Sequence, residues 1–162
     1  MIFQETHNNS PSGETTKPEY HRVLIVDDEP AICFAYRKLF ESERFGFDIC
    51  DGVEAAIVFL KNNDYFAVIS DVRFAGAGNE EGVHLVSVAR KELPQAKVIL
   101  VTGYGNDELK KTTLALGASH YFEKPVNPSL ILALLRELHV VADKHEENMY
   151  LKSLLSNKTH GL

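Results

Sequence analysis

The sequence predicts an α/β fold: a five-stranded, doubly wound parallel sheet. Two observations carry that prediction. From Arg22 onward, short β-branched runs alternate with segments of helical period, the pattern of a parallel sheet covered by helices on both faces. The runs themselves are almost wholly apolar, as strands buried on both faces must be.

The elements follow in order. Residues 23–26 (Val-Leu-Ile-Val) form the first strand. Pro30 suits a first helical turn, and Ile32, Ala35, Tyr36, Leu39 and Phe40 recur at helical spacing. Gly46 breaks that helix, and residues 47–50 are a short second strand. Asp51-Gly52 is a turn; Ala55, Ala56, Phe59 and Leu60 mark the second helix, and residues 65–70 the third strand. Residues 74–82, with three glycines and two acids, read as a long loop. Val83, Val86 and Ala89 carry the third helix, closed before Pro94. Residues 97–101 are the fourth strand, Gly103-Tyr104-Gly105 a loop, and Asn106 or Asp107 the cap of the fourth helix. Gly117 stands where a helix C-cap glycine belongs. Residues 119–122 are the fifth strand, and Asn127-Pro128 opens the fifth helix.

The termini differ from this body. Residues 1–20 are rich in Thr, Asn, Ser, Pro and Glu and read as a flexible tail. Residues 21–140 hold the fold, and 141–162 read as a helical extension or linker. There Met149, Leu151, Leu154 and Leu155 return at helical spacing after a polar run. A frayed continuation of helix five and a dimer-forming helix both fit, although the polar run interrupts any heptad.

Composition narrows the function. The 162 residues are 44% apolar, enough for a core, and carry a net charge of -6. That charge argues against a nucleic-acid partner, because phosphate backbones need a basic face. Cys33 and Cys50 lack metal or redox spacing and read as reduced thiols. No apolar stretch reaches a membrane span, and the N-terminus has no signal-peptide pattern. A soluble cytoplasmic chain, off the membrane, is expected.

The chemistry lies at strand ends, where such sheets place it. Asp27 and Asp28 follow the first strand, Asp71 the third, Thr102 the fourth and Lys124 the fifth. Bare carboxylates in one cleft repel and raise each other's pKa. A divalent cation removes the conflict, and all-oxygen donors select a hard ion, Mg²⁺ or Mn²⁺. A hydroxyl and an ammonium beside that cation suit a phosphoryl group.

These motifs stand as Val26-Asp27-Asp28-Glu29-Pro30, Ile69-Ser70-Asp71, Val101-Thr102-Gly103-Tyr104-Gly105 and Tyr121-Phe122-Glu123-Lys124-Pro125. Each alone has a bland reading: the acid pair as a helix N-cap, the Lys-Pro pair as a loop. Together and in order, they resemble the receiver domain of two-component response regulators, of the chemotaxis-Y-like kind, over residues 21–140. The resemblance implies a flavodoxin-like order 2-1-3-4-5. It implies that Asp71 accepts a phosphoryl group from a histidine kinase or histidine phosphotransfer protein. Asp28 and Asp71, with the Arg73 backbone carbonyl, would ligate the metal, and Asp27 would support it through water. Lys124 would pair with phosphoryl oxygens, Thr102 would bond one and move toward it, and the Tyr121 rotamer would follow. The Lys124-Pro125 bond would be cis. No separate substrate turnover is expected. The output would be a downstream protein target or the chain's own output domain, with a homodimer through the helix 4–strand 5–helix 5 face.

Some residues depart from the family pattern. Phe74-Ala75 stands where receivers tend to carry Met-Pro, and the loop to Gly82 is longer than usual. Arg73 reads either as a solvated side chain giving only its carbonyl or as a partner for a phosphoryl oxygen; Tyr104 sits at the site mouth. The seven histidines show no metal spacing. Three alternatives stand: a receiver fragment of a longer regulator, an Asp-nucleophile phosphohydrolase of the haloacid dehalogenase type, and a receiver that binds partners without phosphorylation. Asp28-Glu29-Pro30 does not match the hydrolase pattern, and Asp28, Asp71, Thr102 and Lys124 argue against the last.

Overall fold

A computed structural model of the chain describes residues 21–41, 43, 45–71, 80–103 and 106–158. The element order is β1 (His21–Val26), α1 (Pro30–Glu41), β2 (Phe45–Cys50), α2 (Val53–Asn62), β3 (Ala67–Asp71), α3 (Glu80–Glu92), β4 (Lys97–Thr102), α4 (Asp107–Ala115), β5 (His120–Glu123) and α5 (Pro128–Lys158). The five strands form one parallel sheet in the order β2-β1-β3-β4-β5.

Both faces of the central strands are buried, which is why their sequences do not alternate. Leu24, Val26, Val68, Val98 and Leu100 point to one face and pack with Ala56, Phe59 and Leu60 of α2 and Leu85, Val86 and Ala89 of α3. Val23, Ile25, Ala67, Ile69 and Ile99 point to the other and are no more than 1% exposed. Phe40 of α1 lies on that second face, 5.8 Å from the Phe47 ring and 5.9 Å from Phe45. Each such side chain contributes roughly 1.5–3 kcal/mol by leaving water.

The ends of several elements differ from the sequence reading. β2 begins at Phe45 and takes Gly46 into the strand, where it pairs with Arg22 of β1; a Cβ there would stand 3.3 Å from Arg22 Cγ. α3 begins at Glu80, so Glu80–Gly82 belong to a helix rather than to the preceding loop. Asn106 is the N-cap of α4, its side chain accepting from the Leu109 amide at 2.7 Å. Gly117 follows the C-cap Leu116 with a φ of 105°, the left-handed conformation that favours glycine. The Lys124-Pro125 peptide is cis.

The chain divides into two compact units between Val126 and Asn127. In the second, Asn127 caps α5 by accepting from the Ser129 amide at 2.9 Å. The helix then runs unbroken to Lys158. Val140, Val141, Met149, Tyr150 and Leu151 are exposed along it. Among the described residues no helix is long and apolar enough to cross a membrane.

Candidate functional site

β1 and β3 are neighbours, with Val26 opposite Ser70. Asp27 and Asp71 therefore leave the sheet side by side. Asp27 is held from both directions: its amide donates to the Cys50 carbonyl at 3.0 Å, and its Oδ1 accepts from the Glu29 amide at 2.8 Å. The second contact is the local aspartate turn that starts α1. Asp28 is exposed. Ligand oxygens of Asp27, Asp28 and Asp71 all lie within 4.8 Å of one another.

β4 and β5 bring the other two groups. Thr102 ends β4 at 1% exposure. The Lys124 amide donates to the Thr102 carbonyl at 2.8 Å, which fixes the lysine just beyond β5. Its ammonium then reaches Asp71, 2.5 Å from Oδ2. Asp71 Oδ1 is buried and has no hydrogen-bond partner among the described residues. The structure thus brings together Asp27, Asp28, Asp71 and Lys124, and ties Thr102 to the same strand ends.

The electrostatics record crowding. Burial, joined by the charges of Asp71 and Asp28, pushes the Asp27 carboxyl from 3.8 up to about 6, against the opposing Glu29 amide and Lys124. Burial pulls the Lys124 ammonium down, but the Asp71 hydrogen bond and the Asp71, Asp27 and Glu29 charges outweigh it, so its pKa rises. Three carboxylates facing one ammonium, with one buried oxygen unmatched, leave a surplus of negative charge on hard oxygen donors. That set fits a small divalent cation. Arg73, Tyr104 and residues 74–79 lie outside the described residues.

Tyr121 turns from β5 toward the α2–α3 core. Its hydroxyl is buried without a partner among the described residues, and Lys110 Nζ stands 6.0 Å from its ring centroid. On the opposite face of β5, His120 stacks with Phe122 at 6.4 Å.

The sequence reading missed two features. Cys33 of α1 donates from its thiol to the Asp27 carbonyl at 3.2 Å, and Tyr36 lies one turn further along the same helix, within reach of the charges of Asp27 and Asp71. The three-residue spacing of Cys33 and Tyr36, on the helix that follows the acid pair, was the available signal. Asp48 of β2 forms a separate buried network with Arg22 and Tyr65.

Residues 23–136 match the family model for the response regulator receiver domain. The chain belongs to that family. This receiver is 31% identical over 137 residues, 85% of its length, to a putative NtrX-like response regulator of Rickettsia bellii, and covers 28% of that protein. It therefore spans under a third of the curated relative. Among solved structures, it is 30% identical to a CheY-like receiver domain protein of Methanospirillum hungatei, with a TM-score of 0.69 over 78% of this chain and 99% of that one. It is 27% identical to the Thermotoga maritima response regulator TrrA in complex with Mg²⁺-BeF, with a TM-score of 0.60 over 73% and 98%. The receiver is thus part of two-component signalling.

Proposed function

We propose that this receiver takes a phosphoryl group on Asp71 from a histidine kinase or histidine phosphotransfer protein, in a Mg²⁺-dependent reaction. The observation that carries the reading is the pairing of a buried, half-unmatched Asp71 with Lys124 beside a second buried acid. In the transfer, an Asp71 oxygen forms a bond to phosphorus as the donor's P–N bond breaks and the imidazole leaves. Such a reaction asks the protein mainly for position and charge neutralisation. Asp27, Asp28 and Asp71 would hold the ion, with the Arg73 carbonyl completing the set; when bound, it neutralises charge on the phosphoryl oxygens. Lys124 neutralises more of it from the other side. Thr102 then bonds a phosphoryl oxygen, and Tyr121, on the neighbouring strand, changes its packing in response.

The reaction ends on the protein itself, so no separate substrate is turned over. The acidic charge and the lack of a long apolar helix among the described residues support action in the cytoplasm. A second reading, that the receiver is one part of a longer regulator linked through residues 141–162 to an output domain, is favoured by the length of the relatives. Incubation with acetyl phosphate and Mg²⁺, read by intact-mass spectrometry, tests the proposal. One phosphoryl adduct is expected on the wild type and none on Asp71→Asn; equal adducts on both would overturn it.

A further inference from the structure

Tyr121 is held by two contacts. Its ring packs against the α2–α3 core, with the hydroxyl buried. Lys110 reaches it from α4, with Nζ 6.0 Å from the ring centroid. An ammonium at that range over an aromatic face is attracted by the ring quadrupole.

The helix aims Lys110 with little slack. In the nine residues of α4, only Leu109 and Thr113 are buried. The Thr113 hydroxyl bonds the Leu109 carbonyl at 2.9 Å and the Lys110 carbonyl at 3.2 Å. The Lys110 amide donates to the Asn106 carbonyl at 3.0 Å. The backbone that carries Lys110 is thus tied on both sides, while the side chain is exposed. Among the described residues its ammonium forms no ion pair, so the Tyr121 ring is the specific contact of that charge.

Tyr121 also shares a sheet face with Thr102. Tyr121 pairs with Leu100 across β4 and β5, and side chains two apart on a strand point the same way. Leu100, Thr102 and Tyr121 therefore stand on one face. A Thr102 that moves toward a phosphoryl oxygen on Asp71 leaves room on that face, which favours a ring packed inward.

We propose that Lys110 is a positioning residue of the switch: from α4, its ammonium holds the Tyr121 ring against the core, the place that goes with Thr102 bonded to the phosphoryl group. Lys110 thereby raises the fraction of chains ready for the group before any arrives. It also ties α4 to Asp71 through Tyr121. The proposal rests on the reading of Asp71 as the phosphoacceptor and of Thr102 and Tyr121 as its responders.

Lys110→Met tests it, because methionine removes the charge, keeps an unbranched stem and is as good a helix former. Labelling by acetyl phosphate with Mg²⁺ is followed by intact-mass spectrometry. Lys110→Met labels about threefold more slowly than the wild type, the share of ready chains lost with one exposed cation–ring contact. The melting temperature stays at the wild-type value. Lys110→Arg, which keeps a cation over the ring, labels at close to the wild-type rate. In a Tyr121→Leu background, Lys110→Met has no further effect. A Lys110→Met rate equal to or above that of the wild type overturns the role of Lys110 while leaving Asp71 as the acceptor. So does an Arg variant as slow as the Met variant, or an undiminished loss in the Tyr121→Leu background. A wild-type chain that takes no label overturns the phosphoacceptor reading, and this proposal with it.

Discussion

Lys124 and Asp71, 53 residues apart in the chain, form a 2.5 Å ion pair at the ends of β5 and β3. The lysine side chain keeps 27% exposure, while the aspartate keeps 3%. The pair is thus asymmetric: a nearly dry carboxylate leans on a half-solvated cation. Removing the cation strands a buried charge, which costs far more than the pair itself is worth.

Lys124→Ala separates the two tasks of that lysine. Its ammonium competes with a divalent cation for the carboxylates, so its loss tightens Mg²⁺ binding by roughly tenfold. It also neutralises the transferred group, so the same variant slows labelling by acetyl phosphate about 10²-fold. Isothermal titration with Mg²⁺ and a labelling time course check the two effects, which run in opposite directions.

Asp27 makes the site pH-sensitive in a direction fixed by its environment. Its carboxyl titrates at about 6 in the folded chain against 3.8 ordinarily, chiefly through burial. The folded, metal-free chain therefore keeps a proton that the unfolded chain has lost. Its stability falls as pH rises from about 4 to about 6, because the unfolded state binds fewer protons in that window. A cation must displace the same proton, so Mg²⁺ affinity climbs by up to about tenfold per pH unit below 6 and levels off above it. Urea denaturation without metal and Mg²⁺ titrations across pH 5 to 8 measure both slopes.

The Asp48 network holds the β1–β2 edge. Arg22 Nη2 lies 2.6 Å from Asp48 Oδ2, the Tyr65 hydroxyl donates to the same oxygen at 2.7 Å, and Asp48 is 1% exposed. Tyr65→Phe removes one donor and costs about 1–2 kcal/mol. Arg22→Ala leaves the carboxylate buried without its cation and costs about 3 kcal/mol or more. Chemical denaturation gives both values, and labelling of Asp71, at the other end of the strands, stays unchanged in Tyr65→Phe.

Most of the fold was legible in the sequence because parallel strands announce themselves locally, as continuous apolar runs such as residues 23–26 and 97–101. The site was legible for a related reason: strand ends bring Asp27, Asp71, Thr102 and Lys124 together once the strand order is known. What escaped was non-local or context-bound. Gly46 read as a breaker because its neighbour across the sheet, Arg22, is 24 positions away in sequence. Gly82 looked like loop because a glycine in a helix's first turns carries no apolar period. Asp48 showed no sign of its partners, which come from β1 and from the residues before β3. Tyr36 falls at a helical core spacing, and nothing in the local pattern marks it as lying within reach of the Asp27 and Asp71 charges.

The most direct test of the central claim is to trap the acyl phosphate and find the residue that carries it. The chain is incubated with acetyl phosphate, with and without Mg²⁺, reduced with borohydride and mapped by peptide mass spectrometry. The account predicts one modified residue, Asp71, formed only with Mg²⁺. Modification at another residue, or equal modification without the metal, would contradict it.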